Sequence, residues 1–528
     1  MQNWKSKMLT SALANLLVLA SPASSSRGDF RILYNGQSVD DLVIEFMEEF
    51  QIPGLSVAIV QAPYITRLTS YGFSNIKTKQ LVAGHTLFNI GQMTNAFTAI
   101  GIMQLIEDKK LKLEDAISQY ISHTPKTWDK IVVKDLLLHT SGILDYTLQK
   151  DFSFSKDYQP EQIVNLVAHL PLEFSAGTQV KYSRTNPYLL GIIIEKVSGM
   201  KYEDYITQKQ IEPLHLQHTY FVSNLKSAPN EVKDRATFSK HSEFVHNAQY
   251  ITPTEVATGY IQKEKEWVEA PEMSWGATFA SSGMFASAED ISKWDIGLAG
   301  DILIKDPKSR ELLYSPIKLK DGTVVPGSVG WYFPGRPGLM QIEGNNDGYS
   351  AFLSRFTAPS DLVCVTLLAN KDNIPGLDIL ARKIAGAYDA KLAAPQGASW
   401  SVTLQSPYSV DKTIKRIIEN VKVHGGTIFS HINHSEEAKK VGLKLSPTQV
   451  ISLGNPAVGT KLMEAQGGVA LDLPLRIASW QDSSGQVWLS FTDPRTLGQA
   501  YHVEIEPTLL TKMYVNLLNT CQKAVGFD

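Results

Sequence analysis

Cysteine is nearly absent: the 528 residues contain two, Cys364 and Cys521. That count excludes a disulfide scaffold and a four-cysteine zinc site. Cys364 lies inside the apolar run "LVCVTLL", so two buried, idle thiols are preferred over a Cys364–Cys521 bridge. An excess of one charge is lacking too. Lys and Arg total 50 against 53 Asp and Glu, a net charge of -3 that supports neither a nucleic-acid nor an anionic-membrane partner. Beyond the N-terminus no apolar stretch reaches the roughly 20 residues a spanning helix needs. Internal repeats and low-complexity tracts are missing, and no metal or cofactor is expected.

The N-terminus has the marks of a secretory signal over residues 1–23. Lys5 and Lys7 precede an apolar run from Met8 to Ala20, and Ser21-Pro22-Ala23 supplies small residues for cleavage. The expectation is an exported protein, periplasmic or secreted, with no stable membrane span after cleavage.

A chain this long exceeds what one core usually organises, so two domains are expected. Residues 27–394 alternate apolar strands with helices. "GLSVAIV" (54–60) and "DLVCVTLLAN" (361–370) read as strands of one sheet, and "NPYLLGIIIEKVSG" as a helix capped by Asn186 and stopped by Gly199. This arrangement is an α+β layered domain. Small residues around Pro395 and Gly397 mark a linker over 395–405. Residues 406–528 then read as a small α+β domain: a helix ending at Gly425-Gly426, strands "TIFSHIN" and "TQVISLGN", a hairpin from "VALDLPLRIASW" and "VWLSFTD", and a closing helix.

Six ordered segments carry a resemblance: "FNIGQMTNAFTA", "VKDLLLHTSGI", "FSAGTQVKYSRTNPYLLGIIIEKVSG", "SSGMFASAEDISKW", "GSVGW" and "GNNDGYSAF". Residues 40–390 resemble the serine β-lactamase-related family of class C β-lactamases, D-Ala-D-Ala carboxypeptidases and esterases. The resemblance implies a β-lactamase/transpeptidase-like fold, an antiparallel sheet flanked by helices. It also implies a serine at a helix start, a lysine one turn later, a Tyr-x-Asn element, and a Lys/His-x-Gly element on an edge strand.

The reactive positions are substituted. Gln92 stands at the serine position and Asn95 at the lysine position; Tyr182 matches, Arg184 replaces the asparagine, and Ile342 replaces Lys/His while Gly344 remains. An amide has no useful nucleophilicity, and losing the nucleophile of a concerted group costs on the order of 10⁶ in rate. Thr94 is turned about 200° around the helix from residue 92 and does not substitute. The residues expected to line a retained ligand site are Gln92, Tyr182, Arg184, Gly344 and Asn346. Arg184 either receives an anion in bidentate fashion or pairs internally with Asp347 or Glu343. Tyr182 without a basic neighbour reads as a hydrogen-bonded residue, and "GWYFPG" (330–335) either walls the cleft or only packs.

The stretches "VDKTIKRIIENVKVHGGTIFSHINHSEEAKKVGL", "PTQVISLGNPAVGTKLMEA" and "GQVWLSFTDP" resemble the family known as domain of unknown function 302, which implies a self-associating α+β module without established activity. "GNPAVGT" lacks the Lys-Ser/Thr ending of a phosphate-binding loop. His424, His431 and His434 read as hydrogen-bonded histidines, not ligands. The resulting expectation is a pseudoenzyme that binds a cell-wall-like or anionic ligand or a protein partner. The alternatives are a hydrolase acting by a non-standard route through Tyr182 or an Asp347-activated water, and an assembly protein that self-associates through its C-terminal domain.

Overall fold

The computed structural model describes residues 32–227, 255–263, 266–358, 361–395, 397, 400–501 and 507–526. The expected signal segment lies outside them. Among the described residues no helix is long and apolar enough to cross a membrane.

An eight-stranded antiparallel sheet forms the spine of the first module. Its order is Gly327–Ser328, Trp331–Tyr332, Leu339–Asn346, Tyr349–Phe356, Val363–Ala369, Gly54–Gln61, Tyr64–Asn75 and Gln80–Leu81. The two strands expected from sequence are adjacent, with Val365 opposite Ile59. They are largely apolar because both sheet faces are covered, with Ser56 and Thr366 the buried polar exceptions. Successive side chains point to opposite faces, so Ala58, Val60, Cys364 and Leu368 enter one core. Val57, Ile59, Val365 and Leu367 enter a second core.

The first core holds the helical layer. Helix Thr94–Glu107 is buried from Thr94 to Leu105 and packs against helices Thr185–Ser198 and Trp275–Ser282. A helix apolar all round belongs inside a protein. Some of its polar groups are answered there: the Thr98 hydroxyl donates to Ala280 O at 2.7 Å and Gln104 Nε2 to Leu303 O at 3.1 Å. Helix Thr185–Ser198 starts earlier than expected. Its cap is Arg184, not Asn186, and Asn186 is instead buried against His139 and Ser141. Gly199, at φ 73°, does end it.

The second module is a five-stranded antiparallel sheet in the order Ser401–Ser406, Val487–Thr492, Leu475–Gln481, Thr448–Gly454, Thr427–Asn433. Helices Val410–Val423 and Pro507–Val525 pack against each other and against this sheet. The structure corrects the expected linker 395–405. Ser401–Ser406 is a strand in register with Val487–Thr492, and only Leu404 among its apolar residues is fully buried, which hides the strand in the sequence. The first part of "VALDLPLRIASW" is a turn of 3-10 helix, Gly467–Leu471, and its strand begins at Leu475.

The modules are not beads on a string. The second core runs without a break from the outer sheet face, through helix Leu377–Tyr388, to Ile414, Ile417, Leu489, Leu518 and Cys521 of the second module. Arg495 reinforces the join, pairing with Glu49 at 2.6 Å and lying 3.7 Å over the Tyr514 ring. An apolar interface of this kind fixes relative orientation. Both cysteines are free and buried.

Candidate functional site

The site is built where the start of helix Thr94–Glu107 presses onto strand Leu339–Asn346. Two glycines permit the contact. A Cβ at Gly344 would lie 1.9 Å from Ile90 O, and one at Gly91, itself at φ +52°, would lie 2.5 Å from Asn345 N. Asn89 ties the pieces together: its Oδ1 accepts from Gly91 N at 2.9 Å and from Asn346 Nδ2 at 2.8 Å. Asn346 is therefore 4% exposed and turned into the core, away from the ligand-facing role expected of it.

Gln92 sits at the mouth of this junction. The backbone N–H of Asn345 donates to Gln92 Oε1 at 2.5 Å. An acyl oxygen approaching residue 92 would need a donor of this kind, and the side chain's own carbonyl already takes it. One turn on, Asn95 is 5% exposed; its Nδ2 donates to the Tyr182 hydroxyl at 2.8 Å, and its Oδ1 has no partner. Thr94 is fully buried, with its hydroxyl facing no partner and away from the cleft.

Tyr182 reaches the cleft from the loop before helix Thr185–Ser198. The protein packed round it pushes its hydroxyl far above the ordinary value, against the opposing pull of the Arg184 charge and the Asn95 hydrogen bond. His139 lies beneath, its ring centroid 4.7 Å from that of Tyr182. Burial depresses His139 to about 4, and its Nδ1 faces Asn186 Nδ2 at 3.0 Å. A neutral imidazole held this way is a support.

Arg184 takes neither of the ion pairs considered for it, and it does not wall the cleft. Its Nη2 donates to Asn345 O at 3.0 Å, and the guanidinium stacks 5.1 Å over Phe154. Gln92 and Arg184 thus grip the N–H and the C=O of one residue, Asn345. Ile342 is 3% exposed, and Asp347 is not among the cleft walls.

The cleft that remains has a volume of about 550 Å³. Gln92, Asn95 and Tyr182 lie at one end, and Gly330, Trp331 and Tyr332 of the aromatic segment form a wall. The opposite wall comes from the second module: Asn519, Gln522, Lys523 and Val525 of the C-terminal helix Pro507–Val525. This helix is pinned over the cleft. Gln522 Nε2 donates to Asp378 Oδ1 at 2.7 Å, and the Tyr332 hydroxyl donates to Val525 O.

Glu343, next to Ile342 in the third family element, faces this space. Its side chain is exposed to cleft solvent, and the protein beside it and the nearby Asp378 push its carboxyl up from 4.5 to about 7. Burial raises Asp378 as well. Sequence reasoning undervalues residue 343, weighing it only as a partner for Arg184. Its place inside a reactive element was the available signal. The helix wall had none, since it comes from another module. In the second module, His431 meets Gln449 at 2.7 Å and His424 meets Asn420 O at 2.7 Å. Among the described residues no three His, Cys, Asp or Glu side chains converge on one point.

A helix start clamped to an antiparallel sheet, with a tyrosine delivered from a separate loop, defines a β-lactamase/transpeptidase-fold protein. The family comparison agrees: residues 39–388 match the β-lactamase family, to which the chain belongs, and residues 402–520 match the domain of unknown function DUF302. Protein flp of Staphylococcus aureus (strain NCTC 8325 / PS 47) is 26% identical over 344 residues, 63% of this chain. The match spans 63% of that relative's own length. Among solved structures, the octameric penicillin-binding protein homologue from Pyrococcus abyssi superposes with a TM-score of 0.54 at 20% identity, covering 86% of this chain and 89% of its own. D-amino acid amidase from Ochrobactrum anthropi SV3, complexed with L-phenylalanine, gives 0.54 at 18% identity, covering 67% and 98%. At these identities the likeness is one of fold.

Proposed function

We propose that this protein is a non-catalytic member of its family, a binding module whose cleft takes a peptide-like, cell-wall-derived ligand. The observation that carries this reading is the Gln92–Asn345 hydrogen bond, an amide carbonyl seated where a substrate's acyl oxygen would go. The cleft offers side-chain amides at Gln92, Asn373 and Gln522, aromatic surface at Tyr332, and one cation, Lys523. That lining suits the amides and terminal carboxylate of a short peptide. Arg184 is committed to Asn345 and is not open to an anionic end.

The test has two arms. Incubation with a fluorescent penicillin, followed by intact-mass measurement, should give no covalent adduct. Calorimetric titration with a D-Ala-D-Ala-terminated peptide should show saturable binding and no cleavage. A serine-linked adduct, or cleavage over many cycles, overturns the reading.

A second reading is favoured by Glu343. A carboxyl near pKa 7 in a cleft is poised to take a proton from water, so slow hydrolysis without an acyl-enzyme is the alternative. Turnover of p-nitrophenyl esters or nitrocefin that disappears in Glu343→Gln would establish it. We infer export from residues 1–23; fractionation of cells carrying a C-terminal reporter should place the protein outside the cytoplasm.

A further inference from the structure

We propose that the second module carries a binding site of its own, for a single-chain aliphatic carboxylate. A cavity of about 760 Å³ opens between the sheet edge, helix Pro456–Ala465 and the C-terminal helix. It is larger than the family cleft and of a size that holds small organic ligands (about 300–1,000 Å³). Its walls are aliphatic and aromatic, with Phe429, Leu453, Met463, Leu473 and Leu517 prominent.

Two observations mark it as a built site. Helix Pro456–Ala465 packs on the 3-10 turn Gly467–Leu471 and buries only Leu462, so most of its apolar residues are left outside the core. Glycines hold the gap open. A Cβ at Gly459 would find Leu473 Cδ1 at 3.9 Å as its nearest neighbour, and one at Gly454 would find Phe429 Cε2 at 3.6 Å. Neither glycine has a positive φ, so neither is kept for backbone reasons. Phe429 and Met463 remain 52% and 38% exposed, apolar surface left in contact with solvent.

Charge selects the ligand's head. The cavity lining contains no carboxylate; its ionisable groups are His424 and Lys523. Among the described residues no ion pair engages Lys523. An aliphatic tail against Leu453, Met463 and Leu473, with a carboxylate at Lys523, satisfies both parts of the lining.

The test uses the full chain and 11-(dansylamino)undecanoic acid, whose emission rises and shifts to the blue in apolar surroundings. Saturable enhancement is expected. Dodecanoate should displace the probe at least tenfold more effectively than dodecanol, and Lys523→Gln should erase that preference. Gly459→Leu, which fills the cavity and removes a helical glycine, should abolish enhancement while the thermal midpoint holds or rises. Gly454→Val tests the same void from the strand. The proposal is overturned by an absence of saturable enhancement in the wild type, by unchanged binding in both filled variants, or by equal displacement by acid and alcohol. It is also overturned if enhancement follows the dimer fraction in sedimentation, which would assign the cavity to a second copy of the chain.

Discussion

The amide oxygen of Gln92 accepts the backbone N–H of Asn345 across the junction between a buried helix and a sheet strand. A side chain that satisfies this donor withholds it from an incoming acyl group and supplies no nucleophile. Restoring both reactive groups is therefore the direct challenge. Wild type and Gln92→Ser alone should give no adduct with penicillin, because a serine without a base stays protonated. Gln92→Ser/Asn95→Lys, with the lysine placed beside Tyr182, should give a slowly formed adduct by intact mass.

Gly344 is retained for packing. A methyl at this position would lie only 1.9 Å from Ile90 O, so Gly344→Ala must push the strand off the helix start. Overpacking of this kind costs about 1–3 kcal/mol. Urea unfolding should show a lower midpoint at unchanged slope.

Tyr182→Phe removes the acceptor of Asn95 Nδ2 in a residue that is 5% exposed. Leaving a buried amide donor unsatisfied costs about 1–3 kcal/mol. The loss should appear in unfolding measurements, and Tyr182→Phe/Asn95→Leu should recover part of it.

Glu343 gives the stability a pH signature. Its carboxyl rises from 4.5 to about 7 on folding, so between those values the folded protein holds a proton that the unfolded chain releases. The stabilisation is complete below about pH 4.5 and is lost as pH rises through 7. Glu343→Gln should match the wild-type thermal midpoint at pH 4.5 and exceed it by pH 8. His139, lowered from 6.5 to about 4, acts oppositely: its contribution is present above 6.5 and lost as pH falls toward 4. Both proteins share His139, so the difference between them isolates Glu343.

Leu518 is fully buried in the core common to both modules. Leu518→Ala should cost about 2–5 kcal/mol. Calorimetry should show one transition moved to lower temperature, with both modules unfolding together; two separated transitions would contradict the shared core.

The fold was legible where pattern and packing coincide. The runs around Val57 and Val365 are apolar at most positions, Ser56 and Thr366 excepted, because two cores claim alternate residues, and they read as strands for that reason. The substituted positions 92, 95 and 342 were legible because glycines and helix signals frame them. Other features were not. Asn186 has the chemistry of a cap, but the deep polar contact with His139 and Ser141 outweighs it. Arg184 presents a guanidinium that sequence alone cannot aim, and a backbone carbonyl claims it. Ser401–Ser406 pairs through its backbone, to which side-chain pattern is blind. The far wall of the cleft comes from residues more than 170 positions away from Gln341 in the chain, beyond any local periodicity.

The helix that closes the chain is a partition between two rooms. Asn519 and Lys523 border the amide-lined cleft on one side and the aliphatic cavity on the other. An occupant of either hollow that tilts this rod reshapes the other, and thermodynamic linkage makes the influence equal in both directions. Under the proposed non-catalytic reading, the scaffold would keep a means of reporting the presence of one small molecule to another.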